Sequence, residues 1–482
     1  MRSCFKHATF IQSALQSLHT KHDPMKQPWL GNALSVAMIF SFRMLGLFLL
    51  IPVFTTYGVK LNGATPTLLG IALGCYGLSQ GLLQIPFGML SDRYGRKPLL
   101  TLGLILFALG SLLGACTQSI HGMIIARILQ GAGAIGSVLI ALLADLTPDE
   151  QRTKAMAVIG MTIGLSFSLA IVLGPTIAHL YGLPGIFYMT TLLACVGLIM
   201  IHTIIPTPKQ HRLDMQATIN ATRFKAVLNN PHLQRLNSGI FFQHLILTST
   251  FFAIPLLLQQ QIKQEHLSNA WHFYLPLMII SFVAMVPCIT IAERKGKIKY
   301  LFIAAVSLTA LSQGILAFTH QSMLSLFISM ITYFIAFNIL EASLPSLVSK
   351  QAHANSRGCA MGIYSSSQFL GIFAGGALAG ILFQWLGYTG IFAINGGIAL
   401  LWLFIASTMQ PLQYQFMITI PLPKQVLDLT PLNTLPGVCH ITVNKHDQLI
   451  YLHVEKALYQ PGSAERLIKS LKPGTDVPIL AT

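Results

Sequence analysis

Long apolar stretches, separated by short polar segments, run through most of the chain. A membrane-spanning helix needs about 20 predominantly apolar residues, and twelve stretches meet that requirement. Several contain glycine or proline, which membrane helices tolerate better than soluble helices do. They cover residues 30–54, 67–90, 98–117, 121–144, 155–180, 185–206, 234–259, 271–292, 300–319, 323–348, 358–383 and 388–409. The pattern predicts an all-α membrane protein with twelve spans, numbered 1 to 12 in chain order.

The two ends of the chain differ from this pattern. The first 28 residues are polar and lack the short apolar core of a cleavable signal peptide, and Met25 is an alternative start to Met1. From about residue 413 apolar and polar positions alternate as in strands. Strands are predicted at 414–421, 438–444, 449–455 and 477–480, and short helices at 424–435 and 463–471. The order βαββαβ predicts a small α+β domain of the ferredoxin-like type.

The composition excludes an ordinary soluble enzyme and a disordered chain. Hydrophobic residues make up 53% of the chain and charged residues only 9%, whereas a soluble domain carries about 25% charged residues. The formal net charge of +16 raises nucleic acid as a partner. However, sixteen Lys and Arg residues lie in the loops that follow even-numbered spans, and two lie in the loops that follow odd-numbered spans. The positive-inside rule therefore places both termini and the even loops in the cytoplasm, and no nucleic-acid partner is predicted.

The chain contains an internal repeat. The sequence Asp92-Arg93-Tyr94-Gly95-Arg96 after span 2 recurs in part as Glu293-Arg294-Lys295-Gly296-Lys297 after span 8, and Arg152-x-x-Ala-Met after span 4 recurs as Arg357-x-x-Ala-Met after span 10. Duplicated halves place a transporter's substrate site at their interface near the middle of the membrane. The predicted parts are a cytoplasmic tail, a six-helix half, a cytoplasmic linker, a second six-helix half and the α+β domain, over 1–28, 29–206, 207–233, 234–410 and 411–482.

The loop after span 2 carries the most specific motif. Residues 88–97 read Gly-Met-Leu-Ser-Asp-Arg-Tyr-Gly-Arg-Lys, which resembles the G-x-L-x-D-R-x-G-R-K signature of the major facilitator superfamily in the loop where that family has it. The resemblance implies two six-helix halves that alternate between inward-facing and outward-facing states. It also implies that the loop acts as a latch that holds the cytoplasmic side closed. The implied latch residues are Gly88, Asp92, Arg93, Gly95, Arg96 and Lys97, with Asp145 at the end of span 4.

Two further motifs point to one branch of that family. Residues 127–134 in span 4 resemble the family's R-x-x-Q-G-x-G-A motif. Span 5 resembles the glycine-rich motif of drug/proton antiporters, but Ala170 and Ala178 stand where glycine is expected. The alternative interpretation is that the glycines of span 5 only allow close packing of helices. Residues 42–46, 55–58 and 337–342 resemble bacterial inner-membrane members with a small cytoplasmic C-terminal domain. The resemblance implies a proton-driven efflux carrier of the bacterial inner membrane.

Four ionisable residues lie well inside predicted spans, and such residues are functional candidates because a charge in hydrocarbon is costly. They are Arg43, Arg127, His244 and Glu341, on spans 1, 4, 7 and 10, which line the central cavity in this superfamily. Glu341 is the candidate proton carrier, with a helix-bridging role as the alternative. His244 either titrates or is a neutral hydrogen-bonded residue. The arginines bind an anionic substrate, tune Glu341 or form fixed ion pairs. Gln80, Gln84, Asn338, Gln368 and Asn395 are candidates for substrate binding or for joining helices.

The prediction is a proton-coupled secondary transporter that exports small molecules by alternating access. An uptake symporter on the same fold and a membrane sensor that signals through its C-terminal domain are the alternatives. No cofactor and no metal site are predicted, and neither a nucleotide-binding loop nor a catalytic constellation argues for an enzyme. The expected partners are a small-molecule substrate, protons and the lipid bilayer, and the expected functional state is a monomer.

Overall fold

The computed structural model describes residues 28–147, 151–206, 221–352, 356–409, 415–421, 430–444, 449–455, 459–460 and 462–470. The chain divides into two compact units. One unit comprises Met1–Pro287 and Phe302–Ser407, and the other comprises Cys288–Leu301 and Thr408–Thr482. Each unit is described by itself. The predicted strand at 477–480, most of the tail at 1–28 and most of the linker at 207–233 lie outside the described residues.

Helices account for nearly all of the described chain as far as Ser407. Ten segments are long and apolar enough to cross a membrane, as expected for a bilayer-spanning chain whose backbone must satisfy its own hydrogen bonds. The helices are α1 Pro28–Phe48, α2 Phe54–Gly58, α3 Pro66–Tyr94, α4 Arg96–Cys116, α5 Ile120–Ala132, α6 Gly136–Asp145, α7 Arg152–Thr203, α8 Ala221–Leu228, α9 Pro231–Lys263, α10 Ala270–Arg294, α11 Ile298–Thr319, α12 Met323–Gln351 and α13 Arg357–Ser407.

Two helical segments are about twice as long as one membrane crossing requires. α7 has 52 residues and α13 has 51 residues, where the sequence predicts spans 5 and 6 and spans 11 and 12. Each is interrupted by one glycine in the left-handed region, Gly182 with φ 67° and Gly387 with φ 63°. Only glycine adopts such a φ at no steric cost, so the chain turns there within a residue or two. The two glycines are 205 positions apart, which is also the offset between Arg152 and Arg357.

Predicted span 4 is a broken helix rather than a continuous one. α5 ends at Ala132, residues 133–135 are not helical, and α6 begins at Gly136. The break adjoins two very close backbone contacts. A Cβ at Gly131 would lie 2.3 Å from the Tyr76 carbonyl oxygen, and a Cβ at Gly133 would lie 2.2 Å from the Gly103 carbonyl oxygen. The glycines of the R-x-x-Q-G-x-G-A motif therefore let this segment approach both α3 and α4.

The first half of α3 packs against α13 almost backbone to backbone. A Cβ at Gly70 would lie 2.3 Å from the carbonyl oxygen of Gly376, and one at Gly74 would lie 2.7 Å from that of Phe373. Small residues allow such close approach between membrane helices. The contact lies toward the Pro66 end of α3. Toward the other end, added Cβ atoms at Gly358 and Gly362, in the first turns of α13, would have no neighbour within 4 Å.

The second unit contains a three-stranded antiparallel sheet formed by β1 Gln415–Pro421, β2 Val438–Asn444 and β3 Leu449–Glu455. The strand order is β1-β3-β2. A 3₁₀ helix, Thr430–Thr434, precedes β2, and α14, Ser463–Ser470, follows β3. Alternate residues of β3 are buried with residues of the 3₁₀ helix and α14, which explains the alternation seen in the sequence. This core comprises Ile420, Leu432, Ile450, Leu452, Val454, Tyr459 and Ala464.

Candidate functional site

Two buried polar clusters lie in the helical unit. The first, called the arginine cluster, consists of Arg43 on α1, Tyr76 and Gln80 on α3, and Arg127 and Gln130 on α5. The second, called the glutamate cluster, consists of Gln243 and His244 on α9, Glu341 on α12 and Gln368 on α13. The four ionisable residues that the sequence singles out divide equally between the two clusters.

Both arginines of the first cluster converge on the Tyr76 side chain. Arg43 Nη2 donates a 2.9 Å hydrogen bond to the Tyr76 hydroxyl and another to Gln80 Oε1. The Arg127 guanidinium lies over the Tyr76 ring, 4.8 Å from its centroid, in the geometry of a cation–π interaction. Arg127 Nη1 also donates to Gln130 Oε1 at 2.8 Å. One tyrosine thus receives a guanidinium at its hydroxyl and another at its face.

The two guanidinium groups are buried without a counter-charge in the described part of the chain. Arg43 and Arg127 are each 2% exposed, and the ion pairs formed by described residues involve Arg96 and His244 instead. Nε and Nη1 of Arg43 and Nε of Arg127 have no hydrogen-bond partner. A fixed ion pair, one of the alternatives raised by the sequence, is therefore not what holds these arginines in this structure. This cluster therefore has an uncompensated positive charge in the described part of the chain, and burying an unpaired cation is costly.

The glutamate cluster joins three helices through one carboxylate. Glu341 Oε2 accepts a 2.9 Å hydrogen bond from Gln243 Nε2, and Glu341 Oε1 accepts a 3.4 Å hydrogen bond from Gln368 Nε2. His244 Nε2 lies 3.8 Å from Glu341 Oε2. The Glu341 side chain is 27% exposed, whereas that of His244 is 3% exposed. Within this cluster the carboxylate is therefore the more exposed ionisable group.

The contacts of His244 define its tautomer. Its Nδ1 atom lies 3.2 Å from the Ile240 carbonyl oxygen, which can only accept a hydrogen bond, so the proton is assigned to Nδ1. Its Nε2 atom lies 2.8 Å from Gln368 Nε2, which can only donate. The imidazole is therefore assigned as neutral, and the lone pair on its Nε2 atom accepts the hydrogen bond from Gln368.

Aromatic rings pack beside the glutamate cluster. Phe337, one helical turn before Glu341 on α12, lies 6.0 Å from His244 by ring centroids. Phe167 on α7 contacts Phe337 at 5.7 Å and Phe334 at 6.0 Å, and contacts Phe48 of α1 at 5.1 Å. Phe167 is 5% exposed. This ring therefore links helices from the first part of the chain to the helix that carries Glu341.

The signature loop forms a compact charged cluster at the junction of α3 and α4. Arg96 donates through Nε to Asp145 Oδ2 at 2.9 Å and through Nη1 to Ser91 Oγ at 2.7 Å, and it pairs with Asp92. The structure thus brings together the three residues Asp92, Arg96 and Asp145 that the sequence grouped. Gly95 has φ +94°, which explains glycine at this turn.

The other latch candidates surround this cluster. Arg93 lies over the ring of Tyr94, and Lys97 accepts through its carbonyl oxygen from Thr101. A Cβ at Gly88 would lie 3.4 Å from Ser137 Oγ, so Gly88 borders α6 within the same set of helices.

The uncharged substrate-binding candidates separate into different environments. Gln84 accepts from Gln80 at 2.9 Å and so extends the arginine cluster, and Gln368 belongs to the glutamate cluster. Asn338 instead donates to Ser281 of α10 at 3.0 Å. Asn395 donates to Thr250 and Gln313. Asn338 and Asn395 thus join helices, which is the alternative role that the sequence left open for them.

Sequence reasoning missed three residues that the geometry places centrally. Tyr76 lies one turn before Gln80 on the same face of α3, Gln243 precedes His244, and Phe167 lies between two sets of helices. All three are uncharged, and aromatic or amide side chains are common in membrane helices. These residues therefore do not stand out in a span as ionisable residues do. The spacing of Tyr76, Gln80 and Gln84 at intervals of four was the one available indication, because such residues share a helix face.

Comparisons with known proteins place the chain in a family. Residues 36–376 match the model of the Major Facilitator Superfamily. The chain is 40% identical over 438 residues to the inner membrane transport protein YajR of Escherichia coli, covering 89% of this chain and 95% of that protein. It is 28% identical over 207 residues to the quinolone resistance protein NorA of Staphylococcus aureus, covering 42% of this chain and 50% of that protein.

A solved structure shares the fold. The crystal structure of a D-xylose-proton symporter superposes with a TM-score of 0.64 at 17% sequence identity and covers 80% of this chain and 98% of that one. The ten apolar helices, the residues matched by the family model and the similarity to YajR over most of both chains agree. The chain is a multi-pass membrane transporter, not an enzyme, and it belongs to the major facilitator superfamily.

Proposed function

We propose that this transporter exports small organic molecules in exchange for protons, and that Glu341 carries the proton. The observation that carries the proposal is the position of Glu341. It is a partly exposed carboxylate held by amides from two other helices, and its Oε2 atom lies 3.8 Å from Nε2 of His244. Drug-exporting character is supported by the resemblance of span 5 to the antiporter motif and by the similarity to a quinolone resistance protein.

Protonation of Glu341 would change contacts between helices. The ionised carboxylate accepts from Gln243 and Gln368. A protonated carboxyl group also has a hydrogen to donate, and the lone pair on His244 Nε2 is the acceptor 3.8 Å away. Gln368 of α13 already occupies that lone pair. A proton on Glu341 therefore competes with Gln368 for His244 and weakens a link between α9 and α13, which couples protonation to helix movement.

The proposed topology has twelve crossings in two six-helix halves. The turns at Gly182 and Gly387 divide α7 and α13 into two crossings each, which would bring ten apolar segments to twelve. The parts are those expected from the sequence, 29–206 and 234–410 for the halves and 207–233 for the linker. With both termini in the cytoplasm of a bacterial inner membrane, the Pro66 end of α3 faces outward. The close contact between α3 and α13 then closes the outside, so the structure represents an inward-facing state.

The proposed α+β domain covers 411–482. Its described strands follow the order β1-β3-β2 with antiparallel pairing, which is the order of the first three strands of a ferredoxin-like sheet. The 3₁₀ helix at Thr430–Thr434 lies in the region where a short helix was expected, and α14 follows β3 as expected. We propose a regulatory or assembly role for this domain and a functional monomer for the transporter.

Uptake by proton symport is the second candidate. Span 5 departs from the antiporter motif at Ala170 and Ala178, both fully buried. Gly174, in contrast, has no room for a side chain, because a Cβ there would lie 2.5 Å from the Leu49 carbonyl oxygen. The motif thus retains its close contact with the segment after α1 but accommodates methyl groups elsewhere.

The deciding experiment is a substrate-panel flux assay in proteoliposomes with pH gradients of both directions. Antiport predicts that substrate moves against the proton gradient, and symport predicts that it moves along it. Flux that does not respond to either gradient for any transported substrate would contradict proton coupling. The NorA-type compounds to include first are quinolones, because a relative is named for resistance to them.

A further inference from the structure

The arginine cluster is organised around a helix start that adds to its positive potential. α6 begins at Gly136, directly after the break in span 4. The first N–H groups of a helix have no partner within the helix, and the helix dipole places partial positive charge there. A Cβ at Gly136 would lie 3.7 Å from Arg43 Nη1. The start of α6 and the Arg43 guanidinium are therefore neighbours.

The polar side chains around the two guanidinium groups supply hydrogen-bond acceptors but no formal negative charge. Tyr76, Gln80 and Gln130 neutralise parts of the two guanidinium groups by hydrogen bonds and ring contact. Nε and Nη1 of Arg43 and Nε of Arg127 still lack acceptors while nearly fully buried. Two permanent cations that share contacts with Tyr76, with a helix N-terminus beside one of them, form an arrangement that favours an anion, because each group is stabilised by negative charge.

We propose that the guanidinium groups of Arg43 and Arg127, with the start of α6 beside Arg43, form the subsite for an anionic group of the transported molecule, and that this group is a carboxylate. Its class follows from the shape of the donors. A planar carboxylate can accept two parallel hydrogen bonds from a planar guanidinium group, and three of the guanidinium nitrogens still lack an acceptor. The proposal rests on the transport function proposed above and assigns substrate recognition to the arginine cluster and proton carriage to the glutamate cluster.

The test uses the purified full-length protein in lipid nanodiscs. Its thermal unfolding midpoint is measured with four monocarboxylates of increasing size (acetate, butyrate, benzoate and octanoate), each paired with the corresponding neutral amide. A ligand that binds the folded protein raises the midpoint. At least one carboxylate should raise the midpoint where its amide does not. Equal effects of carboxylate and amide in all four pairs, including no effect of either, would overturn the proposal.

Variants identify the site. Arg43→Gln and Arg127→Gln should each weaken the apparent affinity for that carboxylate by about tenfold or more, as for the loss of a charge-assisted hydrogen bond. Arg43→Lys keeps the charge and should keep a preference for the carboxylate over the amide, and it covers the case in which a glutamine variant fails to fold. Gly136→Ala should weaken binding, because the added methyl group would crowd Gln84 Nε2 and lie 3.7 Å from Arg43 Nη1. Arg294→Gln removes an exposed arginine elsewhere and should change nothing. Undiminished carboxylate binding in both glutamine variants would place the anion elsewhere and overturn the proposal.

The Glu341→Gln variant separates this proposal from the proposed function. It should retain carboxylate binding, because Glu341 belongs to the other cluster. If the wild-type protein binds the carboxylate through Arg43 but shows no proton-coupled flux, the proposed coupling fails and the subsite stands. If proton-coupled flux is found but no carboxylate is preferred over its amide, the subsite fails and the coupling stands.

Discussion

The Nε2 atom of His244 lies 3.8 Å from the Oε2 atom of Glu341, and the two side chains differ sharply in exposure. Glu341 is 27% exposed and His244 is 3% exposed. The carboxylate is thus the more exposed of the two groups, whereas the imidazole accepts a hydrogen bond from Gln368. If Glu341 carries the proton as proposed, substitutions of the two residues should have different effects.

Glu341→Gln should abolish proton-driven transport and leave the protein inserted and folded. Glutamine preserves the size of the side chain and can still accept from Gln243, but it cannot ionise. Substrate exchange at equal pH on both sides should persist, because exchange does not require net proton movement. The measurement is flux in proteoliposomes with and without an imposed pH gradient. Glu265→Gln, which alters an exposed carboxylate, is the matched control, and wild-type coupling in Glu341→Gln would exclude Glu341 as the carrier.

His244→Gln should slow proton-driven flux without abolishing it. The substitution removes the imidazole lone pair that competes between Glu341 and Gln368 while keeping a polar group of similar reach. The loss of one hydrogen-bond partner costs about 1 kcal/mol, which corresponds to roughly a five- to tenfold slower step. The initial rate under a fixed pH gradient measures the effect. A complete loss equal to that of Glu341→Gln would instead make His244 an obligatory proton carrier, and an unchanged rate would remove it from the mechanism.

The helices and strands were predictable where a physical length or period determines them. Bilayer thickness sets the length of an apolar stretch, and the alternation in β2 and β3 gave strand limits of 438–444 and 449–455 that match the structure. The continuous helical segments around Gly182 and Gly387 were not predictable, because they depend on how tightly a turn closes. The break at 133–135 likewise depends on neighbouring backbones that approach Gly131 and Gly133.

The candidate site was predictable only through its charges. Arg43, Arg127, His244 and Glu341 stand out because ionisable residues are rare in membrane spans. Their division into two clusters was not visible, because it depends on which helices pack together. Tyr76 and Gln243 carry no charge and so do not stand out as rare residues in a span, although they contact the charged groups directly.

Phe167→Ala should allow protons to leak through the protein in the absence of substrate. Phe167 fills the region between Phe48 and the rings beside Glu341, and replacing a buried phenylalanine by alanine removes about 3–5 kcal/mol of packing. A pH-sensitive dye inside proteoliposomes reports the leak as faster decay of an imposed gradient. Phe404→Ala removes a ring that is 70% exposed and serves as the control. Equal decay rates for the two variants would show that Phe167 does not seal the path.

Gly74→Ala should force α3 and α13 apart. The added Cβ would lie 2.7 Å from the Phe373 carbonyl oxygen, and because that atom belongs to the backbone, no side-chain rotation relieves the overlap. Thr67 Oγ1 donates to Gln384 Oε1 at 2.6 Å across the same interface, so cysteines introduced at these two positions should cross-link readily in the parent protein. Gly74→Ala should lower the cross-linking yield. Gly397→Ala, which meets no atom within 4 Å, should not, and an equal yield in both would contradict the tight contact.

Asp92→Asn should shift the transporter toward inward-facing states by weakening the proposed latch. Arg96 binds Asp92 and Asp145 within one half and in this inward-facing structure, so the shift would come from a contact that the exposed Asp92 carboxylate makes only in the outward-facing state. A contact with the positive N-terminus of a helix of the other half would be worth about 0.3–1 kcal/mol. That range corresponds to at most about a fivefold change in the ratio of the two states. In a background without the seven native cysteines, a thiol introduced by Gly362→Cys near the start of α13 measures the change. Its labelling by a membrane-impermeant maleimide from the cytoplasmic side should be faster with Asp92→Asn than with Glu265→Gln, which alters an exposed carboxylate. Equal labelling rates would mean that Asp92 has no influence on the balance between states, and Arg96 would then act only within its own set of helices.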